Sequence, residues 1–106
     1  MKLDICRSFI KDIKKVKDKN LNKRLKAKLD EIQEAVQNTE SEEVPDIKEM
    51  LKMEGSENAY RIKVGQSYRI GALIEEEEET ENETEDNRFF SLKRFLHRKD
   101  IYRKFP

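Results

Sequence analysis

The apolar periodicity of this chain changes once along its length, and that change most constrains its fold. Leu21, Leu25, Leu29, Ile32 and Val36 recur at spacings of three or four, the stripe of an amphipathic helix of about five turns. Phe9, Ile10, Ile13 and Val16 form a shorter stripe of the same kind, with Ser8 as candidate N-cap. Lys17-Asp18-Lys19-Asn20 separates the two, and so tight a connection predicts an antiparallel helical hairpin. Farther along the period drops to two. Tyr60, Ile62 and Val64 alternate with Arg61 and Lys63, Gly65-Gln66-Ser67 makes a turn, and Tyr68, Ile70, Ala72 and Ile74 alternate with Arg69, Gly71 and Leu73. Alternation puts successive side chains on opposite faces of a sheet. The pair therefore predicts a β-hairpin with one apolar face and one face bearing Arg61, Lys63 and Arg69.

Weaker signals fill in the rest. Leu3 and Ile5 alternate with Asp4 and Cys6, enough for a short first strand. Asn38 to Glu43 is a polar loop, and Pro45 ends any helical continuation. Ile47, Met50 and Leu51 add a few apolar contacts, and Gly55-Ser56-Glu57-Asn58 reads as a turn. A last strand from Arg88 to Leu96 has apolar residues on both faces at different points, which fits either a bulge or burial on both sides. Ile101 and Phe105 stand at i and i+4 in a tail of one or two helical turns. Helices followed by strands give an α+β fold. The expected architecture is an N-terminal helical hairpin packed on a twisted antiparallel β-sheet, with a short C-terminal helical segment. Tyr60, Ile62, Ile70 and Ile74 should lie under the helices. The 106 residues suit a single domain spanning 1–106.

Charge divides the chain differently. Lys and Arg number 23, as do Asp and Glu, yet residues 75–87 hold nine acids and no base. The remainder therefore carries 23 bases against 14 acids, a basic body with one acidic segment. A basic body commonly meets a polyanion, above all nucleic acid; the plainer alternative is a soluble surface with a solvated acidic loop. The acidic run reads as a flexible connection between the last two strands. Held near the basic face, its charges would oppose an RNA backbone within a Debye length of about 8 Å.

Several classes fall away. No apolar run approaches the roughly 20 residues of a membrane span, and no signal peptide opens the chain. The single cysteine, Cys6, cannot form an internal disulfide, and no Cys/His cluster offers a metal site. A cytoplasmic protein without metal or other cofactor is expected. Three scattered glycines make no phosphate-cradling loop, and His97 is the lone histidine, without a Gly-rich nucleophile turn. What remains is Arg61, Lys63 and Arg69, together with His97-Arg98-Lys99 and Tyr102. Guanidinium binds phosphate through a bidentate fork, lysine as a point charge. Such a group could hold RNA and stabilise a phosphorane-like transition state, with Tyr102 as a stacking ring. Equally, alternating Arg and Lys could be only the wet face of a sheet.

Three blocks of sequence resemble the RelE/ParE family of toxins from bacterial toxin–antitoxin pairs. They are Phe9 to Lys15 followed by the Leu-rich helix and Val44-Pro45-Asp46-Ile47-Lys48; Tyr60-Arg61-Ile62-Lys63-Val64-Gly65 with Tyr68-Arg69-Ile70; and Arg94 to Tyr102. The likeness covers nearly all of the chain outside the acidic segment. It implies a helical hairpin on a twisted antiparallel sheet, and a toxin restrained by a cognate antitoxin. RelE-type members cut mRNA on the ribosome; ParE-type members inhibit DNA gyrase. By motif position the resemblance implies a catalytic set of Arg61, Lys63, Arg69, His97, Arg98 and Tyr102. In a RelE-type reaction the ribose 2′-OH would attack the adjacent phosphate, with Lys63 or a base near it taking the proton. Arg61 and Arg69 would stabilise the phosphate, Arg98 or His97 would protonate the leaving 5′-oxygen, and Tyr102 would stack on a base. A binding-only gyrase inhibitor and a family member that no longer cuts are the alternatives.

Overall fold

A computed structural model describes residues 1–40, 42–77 and 87–106. The elements run β1 (Lys2–Ile5), α1 (Arg7–Lys14), α2 (Lys19–Gln37), β2 (Met50–Lys52), β3 (Ala59–Val64), β4 (Tyr68–Glu76), β5 (Arg88–His97) and α3 (Arg98–Lys104). The strands form one sheet in the order β1-β5-β4-β3-β2. Every neighbouring pair is antiparallel except β1 with β5, where Lys2 faces Phe89 and Ile5 faces Leu92 in parallel.

The α+β class thus stands, with two corrections. The helical pair is not N-terminal, because β1 precedes it, and the sheet is mixed rather than antiparallel. The cause is connectivity. Leaving β1, the chain enters α1 and α2 at once, so β1 has no hairpin partner next to it in sequence. Its backbone groups must still be paired, and the open edge of β5 supplies the partners; the Cys6 amide extends the pairing to the Leu92 carbonyl at 3.0 Å.

Helix ends differ in one place from the sequence signals. Cys6, not Ser8, is the N-cap of α1, without a side-chain cap bond. The Ser8 hydroxyl instead donates to the Lys93 carbonyl at 2.6 Å. That carbonyl belongs to a β-bulge. Gly71 pairs with Arg94 but Ala72 pairs with Leu92, so Lys93 is the extra residue on β5. The bulge lets Phe90, Leu92 and Phe95 all enter one core, which explains a strand with apolar residues at both parities. α2 has a conventional start: the Asp18 carboxylate accepts from the amides of Asn20 and Leu21.

The main core lies between the α1/α2 layer and one face of the sheet. Phe9, Leu25, Ile32, Val36, Ile62, Ile70 and Phe95 are buried there, with Ile74 packed against them, while Tyr60 is only half-buried. Asp12, 5% exposed, pins α1 to β5 by accepting from Arg94 Nε at 2.7 Å, Arg94 Nη2 at 3.2 Å and the Phe95 amide at 2.9 Å. A buried carboxylate survives because it is paired and fully bonded.

On the opposite face a second, smaller core joins Met53, Ala59, Ile101 and Phe105, with Leu73 and Leu96 beside it. α3 therefore covers part of the face that sequence alternation left open. Phe105 lies so flat on β4 that a Cβ on Gly71 would stand 2.7 Å from its ring. Only glycine permits that approach.

The expected acidic connection over 75–87 is described only at its two ends. Glu75 and Glu76 belong to β4, Glu76 pairs with Arg88, and the Glu77 amide bonds the Asn87 carbonyl. Residues 78–86 lie outside the described residues. The root of the connection stands at the far end of β4 from Arg69, about 23 Å away at the usual strand rise. The expectation that the acidic charges stay near the basic face falls mostly on residues 78–86, outside the described residues.

Candidate functional site

β3 and β4 place three of the expected residues on the face opposite the helical layer. Lys63 and Arg69 are direct cross-strand partners, and Arg61 pairs with Gly71 one step along. Like charges facing each other across a ladder are unfavourable, so their surroundings matter. Arg69 Nη1 donates to the Gln66 and Tyr68 carbonyls at 3.2 and 2.8 Å, which fixes the guanidinium over the β3–β4 turn. Lys63 Nζ stands 4.0 Å from Glu49 Oε2, and the Lys63 amide bonds the Glu49 carbonyl at 3.2 Å. Burial, and then the positive charges of Arg61 and Arg98, lower the pKa of Arg69; Tyr102 and Glu49 oppose the shift. The guanidinium is half-buried, with Arg61 and Arg98 as like charges near it and Glu49 as the nearby acid.

α3 brings the C-terminal residues to the same place. Its first turn is tied down where the Arg98 amide donates to the Ser67 carbonyl at 2.7 Å. Ile101 and Phe105 anchor its apolar side. The outer side then carries Tyr102, 60% exposed, with the Arg61 guanidinium carbon 5.5 Å from its ring centroid, a cation–π distance. Arg61, Lys63, Arg69, Arg98 and Tyr102 thus come together on one face.

His97 does not join them. It pairs with Tyr68 at the end of the β4–β5 ladder, and the two rings meet edge to face at 5.7 Å. Its Nδ1 accepts the Lys99 amide at 3.1 Å, making it the N-cap of α3. The ring borders a cavity shared with Leu21 and Arg24 of α2, on the helical side of the sheet. Strand alternation explains the separation: Leu96, opposite Arg69, turns toward α3, so His97 turns away.

Glu49 is the residue that sequence reasoning missed. It sits just before β2 with φ +63°, a conformation uncommon outside glycine, Asn and Asp, and nothing in its neighbours signalled it. The loop leading to it is clamped to α2. Glu31 Oε2 accepts the Lys48 amide at 2.8 Å, and Lys28 Nζ bonds both Glu31 Oε1 and the Lys48 carbonyl at 3.1 Å.

Among the described residues no group of three or more His, Cys, Asp or Glu could hold a metal ion, and no helix is long and apolar enough to cross a membrane.

Neither family models nor curated protein sequences give a match. Among solved structures, a chain of the RelB–RelE antitoxin–toxin complex from Methanococcus jannaschii matches with a TM-score of 0.59. It is 32% identical, over 97% of this chain and 99% of that one. The chain belongs to the RelE toxin family. The blocks Tyr60 to Ile70 and Arg94 to Tyr102, which carried the resemblance in sequence, are the β3–β4 hairpin and the β5–α3 junction. In this RelE-like chain those are also the elements that assemble the basic cluster.

Proposed function

We propose that this chain is the toxin of a toxin–antitoxin pair and an mRNA endonuclease that acts on ribosome-bound message. The observation that carries the reading is the convergence of Arg61, Lys63, Arg69 and Arg98 beside an exposed Tyr102, with Arg69 partly desolvated among like charges. A surface that exists only to be wet has no reason to gather cations beside an exposed aromatic ring. A phosphate diester arriving there relieves the repulsion, and the extra charge of a phosphorane relieves it further. That is stabilisation of the transition state over the ground state.

The reaction is attack of the ribose 2′-OH on the adjacent phosphorus, leaving a 2′,3′-cyclic phosphate and a free 5′-OH. Glu49 supplies the base near Lys63. Its carboxylate can accept the 2′-OH proton, whereas an ammonium cannot, and Lys63 holds the carboxylate and the developing oxyanion in place. Arg61 and Arg69 grip the non-bridging oxygens. Arg98 steadies charge on the leaving 5′-oxygen, which takes its proton from water, while His97 faces the other side of the sheet. Tyr102, already held by Arg61, stacks on a flanking base.

The antitoxin partner is an acidic, amphipathic protein. Between Lys11 and Lys28 the helical layer carries nine Lys or Arg. Its only acids there, Asp12 and Asp18, are spent on Arg94 and on the N-cap of α2. The complementary surface is negative.

Message added to a translation extract with this chain should be cut within codons, and the fragments should carry 5′-OH ends. Uncut message, together with inhibition of DNA supercoiling, would move the chain to the gyrase-inhibitor class.

A further inference from the structure

On the side away from the basic cluster the sheet ends at β1, a strand paired with β5 alone. In a parallel ladder alternate residues bond the neighbour, and the Cys6 amide on the Leu92 carbonyl sets which ones do. Lys2, Asp4 and Cys6 turn their backbone groups toward β5, whereas Leu3 and Ile5 turn theirs out to the edge. Among the described residues no backbone bond from another segment reaches either of them. Unpaired N–H and C=O groups in a row are a template for another strand. We propose that the strand they take is β1 of a second copy of this chain, antiparallel about Leu3, so that two five-stranded sheets run on as one. The inference goes beyond the toxin reading and does not depend on it.

The side chains select this partner and this register. Turned about Leu3, the run Lys2-Leu3-Asp4 is its own complement: Lys2 of each copy faces Asp4 of the other, and Leu3 faces Leu3. Leu3 packs on the main core, so Lys2 and Asp4 lie on the face away from the helices, where both are exposed. The Lys2 ammonium stands 5.8 Å from the Phe89 ring centroid, and Asp4 Oδ2 is 3.5 Å from Ser91 Oγ. Because Leu3 directs its backbone groups outward, the two Leu3 residues exchange both N–H···O=C bonds. The flanking Lys–Asp pairs then fall at the positions without such bonds, where side chains approach most closely. Ile5, 45% exposed, loses water when a strand covers the edge. Turned about Asp4 instead, the strand would set two carboxylates face to face, which is unfavourable. The opposite edge, β2, lacks the symmetry, since the mirror position of Lys52 about Leu51 is Met50.

The twofold axis stands perpendicular to the joined sheet, so both helical layers lie on one side and both basic clusters on the other. Five strand spacings, about 24 Å, separate the two copies of β4. Four residues from each copy make a small interface, so the dimer is weak and forms as concentration rises.

The test is sedimentation of the full chain over a concentration series, in which the wild type should pass from monomer to dimer. Lys2→Glu and Asp4→Lys, both at exposed positions, should each weaken the dimer roughly tenfold or more, because the twofold axis turns two attractive pairs repulsive at once. Mixed in equal amounts, the two variants should associate again, since a chain with acids at both positions then faces a chain with lysines at both. In the wild type, the Leu3 and Ile5 amides should gain protection from hydrogen exchange as concentration rises, a reading that needs no variant. A wild type that sediments as a monomer at every concentration would overturn the proposal. So would a dimer indifferent to both substitutions, or single variants that circular dichroism shows folded but that fail to recombine. Leu3 protection that appears only on adding antitoxin would give the edge to that partner and overturn the pairing of copies.

Discussion

At Arg69 the packing of the fold and the proposed chemistry meet in one side chain. Its guanidinium holds the Gln66 and Tyr68 carbonyls while facing Lys63 across the ladder and feeling Arg61 and Arg98. It is therefore not the freely solvated arginine that strand alternation alone implies, and removing it costs more than a surface change. Arg69→Ala should lower unfolding free energy by about 1 kcal/mol, read from a denaturant midpoint. Message cleavage should fall by roughly 10² or more, because a transition-state cation is lost. A folded variant that cleaves at the wild-type rate would remove Arg69 from the chemistry. Glu49 is the counterpart on the acidic side: Glu49→Gln should retain RNA binding and lose cleavage by roughly 10². Comparing the affinity and the single-turnover rate of that variant separates the two effects. The basic residues were legible in the sequence because alternation assigns a face. Glu49 was not, since its place depends on a left-handed backbone residue and a clamp from a distant helix.

At the scale of elements, two attachments hold the site together. The first is α3 on the sheet, through Ile101 and Phe105. Gly71→Ala would drive a methyl into the Phe105 ring, against a separation of 2.7 Å. It should cost roughly 1–3 kcal/mol as an overpacked contact. It should also lower cleavage, because Arg98 and Tyr102 ride on the displaced helix; protection of α3 amides from hydrogen exchange would report the displacement. The second attachment is the clamp of Glu31 on the loop before Glu49. Burial alone would raise the Glu31 pKa, but the Lys48 amide and the Lys28 ammonium outweigh it, and the net shift is downward. A folded pKa below the unfolded one gives stability that is present above the unfolded value, about 4.3. That stability is lost as pH falls through the folded value. Glu31→Ala should thus be less stable than wild type by roughly 1 kcal/mol at neutral pH, with the gap closing as pH falls below the unfolded value. An unchanged gap across an acid titration of stability would contradict the clamp. Long periodic elements such as α2 and the β3–β4 hairpin were readable because their periods repeat over many residues. The three-residue β2 and the parallel pairing of β1 were not. Short edge strands carry no period of their own, and their direction is set by how distant segments meet.

For the whole molecule, charge is arranged by layer. Between Lys11 and Lys28 the helical layer is basic and its two acids, Asp12 and Asp18, are engaged, the opposite face gathers the cationic cluster, and the acidic segment is rooted about 23 Å along β4 from Arg69. That spacing exceeds a Debye length of about 8 Å at physiological salt, so short-range screening by the root carboxylates Glu75 and Glu76 should be slight. Glu75 is in any case engaged with Lys93 at 2.9 Å. RNA affinity of Glu76→Gln should match wild type at physiological salt, and both should weaken together as salt rises. The composition disclosed a basic body with an acidic insert, but only the topology shows that Arg69 and the root of that insert, Glu76, lie at opposite ends of β4. Expression of the chain alone should slow bacterial growth, and a co-expressed acidic antitoxin should restore it. The central claim is that the clustered cations on the β3–β4 face cut RNA, and it is tested most directly by end analysis of message incubated with wild-type and Arg69→Ala protein in a translation extract. The account predicts fragments with 2′,3′-cyclic phosphate and 5′-OH ends from the wild type, and at least a hundredfold fewer from the variant by the size of such electrostatic terms. Intact message with the folded wild-type protein, or equal cleavage by both, would contradict it.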